Sequence, residues 1–204
     1  MHPSTHAAHN PGKPAIIMAA TGETISYAEL DSRSNQVAQL LRARGIGIGD
    51  TVAMCMENHP WFFCLTWGFQ RAGVHYVAIS SRLTAPETAY ILEDSGAKLL
   101  FGSRYLAPVL DEVGALGCAV PQLRFDTPGT LSAEAAIGAM PDKPIADERA
   151  GTDMLYSSGT TGRPKGVKIP LPVEPAIDAV NVLVQLSMAA YGITSEGIYL
   201  SPAR

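Results

Sequence analysis

Residues 154–170 read MLYSSGTTGRPKGVKIP, and their spacing decides what kind of α/β protein this is. Between Ser157 and Gly166 stand three glycines, four hydroxyl side chains and a lysine. Ser157, Ser158, Thr160 and Thr161 can donate to phosphate oxygens, and Lys165 adds a compact positive charge. Gly159, Gly162 and Gly166 permit positive φ and close backbone approach. The commonest phosphate loop, GxxxxGK[ST], opens a helix directly after its lysine. Here Pro164 precedes Lys165, and Gly166, Val167 and Lys168 follow it, so the chain leaves the loop as a strand. A strand–loop–strand hairpin holds phosphates through backbone N–H groups and side chains, without a helix dipole. A polar surface hairpin is the plainer alternative, but such a hairpin carries one or two residues of this kind. Eight in ten is a different composition.

Upstream of the hairpin, strand and helix signals alternate. The spacing of Leu30, Val37, Leu40 and Leu41 predicts a helix from Ser26 to Arg44, closed by Gly45. TVAMCM (51–56), VHYVAIS (74–80) and KLLFGS (98–103) read as buried strands. Asn58–Arg71 reads as a helix capped by Asn58 with Pro60 in its first turn. TAPETAYILEDSG (84–96) reads as a helix with Thr84 as cap, Pro86 near its start and Gly96 after its end, and RYLAPVLDEVGALG (104–117) as the next. This βαβ spacing predicts a mostly parallel sheet covered on both faces. Pro121–Asp153 reads as a connecting loop with a short helix, DMLYSS (153–158) and GVKI (166–169) as the strands framing the glycine loop, and Pro175–Tyr191 as a closing helix. The chain ends on YLSPAR with no polar tail, and GIYL (197–200) reads as a strand just beginning, so the expectation is a fragment of a longer protein.

The bulk numbers exclude other classes. With 204 residues, 47% of them apolar, the chain can build a sizeable core. Its net charge of −4 and lack of a basic cluster argue against nucleic acid and against an anionic membrane surface. Cys55, Cys64 and Cys118 form no C-x-x-C pair and read as small buried hydrophobes in a reducing compartment. The N-terminal MHPSTHAAHNPGKP lacks the apolar run of a signal peptide, and WFFCLTWGF (61–69) is too short for a transmembrane segment. A soluble, cytoplasmic protein is the expectation. His2, His6 and His9 read as a mobile tail without a metal role, and His59 and His75 as structural residues. Trp61, Phe62, Phe63, Trp67 and Phe69 read as a core helix against the sheet rather than an acyl tunnel or membrane face. GIGIGD (45–50) looks like a dinucleotide fingerprint but follows a helix and precedes a strand, which makes it a turn.

Met154 through Lys165 resembles, position by position, the AMP-binding signature of the acyl-adenylate-forming superfamily, which includes acyl-CoA synthetases, luciferases and peptide-synthetase adenylation domains. NPGKPAI (10–16), residues 25–53, ENHPWFFCLTWGFQRAG (57–73) and RLTAPETAYILEDSGAKLL (82–100) resemble successive opening blocks of acyl-CoA synthetases. RAGVHYVAISSRL (71–83) is closer to the wording of those ligases than to that of adenylation domains, although Ala78, Ile79 and Ser80 stand where the family often has Pro and Asn.

The resemblance implies an α/β fold with a layered sheet flanked by helices. On that basis residues 1–204 form an incomplete N-terminal part of the AMP-binding domain, and the C-terminal lid domain is absent. It implies an ATP-dependent acyl-CoA ligase in which a carboxylate, here a fatty acid, attacks the α-phosphorus of ATP and coenzyme A then displaces AMP, with Mg accompanying ATP. Ser157, Ser158, Gly159, Thr160, Thr161, Gly162 and Lys165 are thereby assigned to the ATP phosphates, and no catalytic or metal-ligating residue is assigned. The family's Tyr-Gly-x-Thr-Glu motif, ribose-binding aspartate and catalytic lysine have no counterpart here, so the 204 residues alone are expected to be inactive. YGITSE (191–196) mimics the first of these but has one residue too many, and reads as a helix end capped by Gly192. An adenylation domain that loads a carrier protein and a non-catalytic nucleotide-binding module are the alternatives. An unfinished sheet edge would favour a homodimer.

Overall fold

The alternating strand and helix signals resolve into a six-stranded sheet with helices on both faces, in a computed structural model that describes residues 2–157, 163–173, 175–179, 182–194 and 197–200. The chain opens with α1 (Pro3–His9) and an antiparallel pair, β1 (Pro14–Ile17) and β2 (Thr24–Ser26). It continues through α2 (Tyr27–Ala43), β3 (Thr51–Cys55), α3 (Trp61–Arg71), β4 (His75–Ile79), α4 (Ala85–Ser95) and β5 (Ala97–Ser103). Then follow α5 (Ala107–Ala115), β6 (Gln122–Phe125), α6 (Ala133–Gly138), β7 (Thr152–Ser157), β8 (Lys165–Lys168) and α7 (Val182–Tyr191). The sheet order is β6-β5-β3-β4-β7-β8, parallel throughout except for the antiparallel β7–β8 pair.

Local chemistry sets the helix ends. Ser26 and Glu29 form a reciprocal capping box at the start of α2, with the Glu29 carboxylate accepting from the Ser26 N–H at 2.9 Å. The Thr84 N–H donates to the Glu87 carboxylate at 2.8 Å at the start of α4, and Gly96 closes that helix in the left-handed region at φ 65°. One sheet face packs Val52, Met54, Leu99, Phe101, Leu123 and Phe125 against α2, α3 and α6. The other packs Ala53, Cys55, Val77, Ile79 and Leu100 against α4 and α5. Two buried faces explain why the strands read as continuous apolar runs rather than alternating ones.

Several expectations need correction. Pro60, not Asn58, is the N-cap of α3, and the preceding His59 Nδ1 accepts from the Trp61 N–H at 3.2 Å in place of an Asn cap. The stretch 121–153 holds a strand, β6, hidden because its four residues include Gln122 and Arg124; the Arg124 guanidinium bonds Asp111 and Gln122 at the sheet edge. Within 175–191 the helix runs only over Val182–Tyr191, and residues 175–179 carry a turn. Residues 197–200 are not a strand. The aromatic helix is core only in part: Phe69 is fully buried, whereas Phe63 is 47% exposed.

The histidine-rich start is not a loose tail. His2 caps α1, its Nδ1 accepting from the Ser4 N–H at 3.2 Å, and is buried against Trp67 with ring centroids 5.0 Å apart. Burial first, and the nearby Arg71 guanidinium second, lower its pKa to about 3. The unfolded chain protonates His2 near pH 6.5, so the stability it contributes is complete above that pH and is lost as the pH falls toward about 3. Burial moves the Glu148 carboxyl the other way, upward, and its proton uptake in the fold opposes part of this loss. The melting temperature should therefore fall on acidification below pH 6.5, and His2→Gln should flatten that dependence; an unchanged slope would remove His2 from the account.

Gly151 admits β7 to the sheet. A Cβ there would lie 2.4 Å from the Val74 carbonyl oxygen and 2.8 Å from that of Phe69, both backbone atoms. Its N–H donates to the Gln70 carbonyl at 2.6 Å. Gly151→Ala should cost about 2 kcal/mol, the overpacking cost, read from the midpoint of urea unfolding.

Candidate functional site

Five parallel strands end at one edge of the sheet, and ligands in open α/β sheets bind outside such carboxyl ends. β7 reaches that edge and returns as β8, pairing Met154 with Lys168, Leu155 with Val167, Tyr156 with Gly166 and Ser157 with Lys165. Ser157 and Lys165 thus face each other across the last rung, one on each side of the loop mouth, and both are exposed. Ser158, Gly159, Thr160, Thr161 and Gly162 lie outside the described residues. A hairpin whose last rung pairs a hydroxyl with an ammonium group concentrates donors where a polyphosphate chain would enter.

Gly166 serves the site differently from its expected positive φ: its backbone lies outside that region. A Cβ at Gly166 would meet Met154 Cε at 2.6 Å, and the Tyr156 ring and hydroxyl at 2.8 and 2.9 Å. The missing side chain lets the Tyr156 ring lie across β8 and donate its hydroxyl to Asp94 Oδ2 at 2.6 Å. Burial, reinforced by the Asp94 carboxylate, pushes the Tyr156 phenol well above its ordinary pKa, so it stays a donor. On the far side of the loop the Arg163 guanidinium sits 5.4 Å from the Tyr90 ring centroid. At the other end of the hairpin, Lys168 Nζ donates to Thr51 Oγ1 at 3.2 Å, and His75 Nε2 lies 2.9 Å from the Ile169 carbonyl oxygen. Tyr90, Asp94 and Tyr156 went unnoticed in the sequence; the signal was the i,i+4 spacing of Tyr90 and Asp94 on one helix face.

On the opposite side of β7 an open cleft of about 330 Å³ lies between α3 and the sheet, bordered by Met54, Phe62, Thr66, Tyr76, Ala78 and Leu155. Other candidate chemistry is structural. His59 Nε2 pairs with Asp126 at 3.2 Å, and His75 is buried between backbone carbonyls. Burial pushes the Cys55 and Cys64 thiols up to about 12, which leaves them without nucleophilic thiolate at neutral pH. Gly45 and Gly49 adopt positive φ between α2 and β3, as a turn requires, and Gly192 does so after α7. Among the described residues no group of three His, Cys, Asp or Glu is arranged to hold a metal ion. Among them, too, no helix is long and apolar enough to cross a membrane.

A family model described as AMP-binding enzyme matches residues 4–172. Long-chain-fatty-acid–CoA ligase FadD13 of Mycobacterium tuberculosis is 37% identical over 169 residues, covering 78% of this chain and 32% of that protein. Fatty acid–[acyl-carrier-protein] ligase ScoC of Streptomyces coeruleorubidus is 35% identical over 173 residues, covering 80% of this chain and 31% of that protein. Among solved structures, the inhibitor-bound N-terminal domain of FACL13 from Mycobacterium tuberculosis superposes with a TM-score of 0.70 at 32% identity, covering 81% of this chain and 42% of that one. The chain spans about a third of the length of the curated relatives it matches.

Proposed function

Because the chain belongs to the AMP-binding enzyme family, we propose that it is the nucleotide-phosphate portion of an ATP-dependent acyl-CoA ligase that activates a fatty acid. The observation that carries this reading is the β7–β8 hairpin, which sets Ser157 and Lys165 on either side of the glycine loop at the carboxyl edge of the sheet. When a carboxylate attacks the α-phosphorus, negative charge grows on the departing pyrophosphate. The roles of Lys165, Ser157, Ser158, Thr160, Thr161 and the amides of Gly159 and Gly162 are to donate to the phosphate oxygens as that charge develops. Mg would neutralise phosphate charge when it accompanies ATP. The cleft beside Leu155 is lined mostly by apolar side chains, with Gln70 and Asp153 on its border, and suits an aliphatic chain with a polar end.

The similarity to a ligase named for an acyl-carrier protein favours one second reading, in which a carrier thiol replaces coenzyme A as acceptor. On either reading the compartment is the cytoplasm, and the exposed β8 edge is the surface for a homodimer. The test is to sequence the reading frame beyond Arg204, express its product, and supply a panel of acids with ATP. Acid-dependent pyrophosphate exchange followed by CoA thioester supports the ligase, and transfer only to a carrier protein supports the second reading. Absence of exchange with every acid overturns both.

A further inference from the structure

Both stems of the glycine loop are fastened to the same face of α4. Tyr90 and Asp94 stand four residues apart on that helix, so their side chains are neighbours. Asp94 accepts from the Tyr156 hydroxyl at 2.6 Å, one residue before β7 ends at Ser157, while the Tyr90 hydroxyl lies 3.5 Å from the other Asp94 oxygen. The Tyr90 ring carries the Arg163 guanidinium on the opposite stem. Gly166 keeps clear the space that the Tyr156 ring occupies. Helix α4 is itself rigidly placed, with Ala85, Ala89, Ile91 and Leu92 buried in the core.

We propose that Tyr90, Asp94, Tyr156 and Arg163 form a clamp that holds the two stems of the loop in a phosphate-receiving position, with Arg163 acting as a positioning residue through Tyr90 rather than as a phosphate ligand. The proposal deepens the nucleotide-binding reading and rests on it for its ligand. Its physical content is preorganisation. Stems fixed in advance leave less ordering to be done when a phosphate binds, so the clamp improves affinity without touching the phosphates. It also divides the two cations nearest the loop mouth. Arg163 is held on an aromatic face beside a carboxylate, and Lys165, on the last rung, is left to meet the phosphates. An arginine that bound phosphate directly would act by charge and would be indifferent to the residue at position 90.

The experiment uses the full chain and two readouts, magnesium-ATP binding by calorimetry and amide hydrogen exchange over residues 157–165 without nucleotide. Arg163→Ala alters an exposed side chain, and Tyr90→Leu removes the ring face. Each should weaken ATP binding about two- to fivefold, the effect of one surface cation–π contact, and each should speed exchange in the loop. The double variant should be no worse than either single one, because both remove the same contact. Tyr90→Phe keeps the ring face and should stay near wild type, which separates the clamp from a general loss of fold. Additive losses, or a loss with Arg163→Ala and none with Tyr90→Leu, would make Arg163 a phosphate ligand and overturn the proposal. If the wild-type chain binds no ATP, the nucleotide reading fails. The clamp is then judged by exchange alone: joint, non-additive acceleration upholds it and unchanged exchange overturns it.

Discussion

Lys165→Ala, introduced into the product of the full reading frame, should slow acid-dependent ATP–pyrophosphate exchange by about a hundredfold, the lower end of what removing one preorganised donor costs. Thioester formation from acyl-adenylate supplied ready-made should change far less. The asymmetry follows from where the charge develops. Pyrophosphate departs in the first step only, and a cation at the loop mouth has little left to stabilise once it has gone. Lys165 sits at the start of β8, paired across the hairpin with Ser157, so its backbone is fixed by the ladder while its side chain is exposed. Thr160→Ala should show the same asymmetry with a smaller effect, since a neutral donor contributes less than a charged one. Equal slowing of both steps would place Lys165 in general substrate binding instead. No slowing would remove it from the phosphates.

The parts of this fold that were legible in the sequence are those whose local chemistry and burial agree. The start at Ser26, the cap at Thr84 and the stop at Gly96 read from residue type, and the helices begin and stop there, with Glu29 and Glu87 completing the two caps. β3, β4 and β5 are buried strands and read as apolar runs. β6 did not, because two of its four residues are polar and its place in the sheet is fixed by the ladder to β5 and by buried Leu123 and Phe125, partners distant in sequence. The N-terminal segment was misread for a similar reason: composition alone makes three histidines look solvated, and only the fold shows His2 enclosed by Trp67 and Arg71. At the candidate site, the glycine loop was visible because hydroxyls, glycines and a lysine are crowded into ten residues. Its fastening was not, since Tyr156 reaches Asp94 across 62 positions, and Gly166 matters for the space it leaves rather than for its φ.

Arg71→Ala should cost about 3–5 kcal/mol of folding stability, the penalty for leaving buried charge without its partner. Arg71 ends α3 with its side chain 1% exposed, and four residues from three parts of the chain converge on it. Asp31 of α2 accepts from Nη2 at 2.6 Å, Asn35 accepts from Nη1, Glu148 lies 3.4 Å from Nη1, and His2 lies 3.5 Å from Nη2. Two carboxylates facing one guanidinium leave the cluster with no spare positive charge once the arginine is gone, and burial already makes ionised Glu148 unfavourable. The cost should therefore come from stranded carboxylates more than from lost packing. A variant combining Arg71→Met, Asp31→Leu and Glu148→Met tests that directly, because apolar side chains of similar volume remove the charges together and should recover most of the loss. A single substitution costing under about 1 kcal/mol would mean that the cluster is no more than a surface ion pair in energetic terms. The consequence reaches the site as well. Glu148 leads through Arg149, whose N–H donates to the Arg71 carbonyl at 3.2 Å, into Gly151 and β7, so loosening Arg71 loosens the strand that carries Tyr156 and Ser157 to the loop.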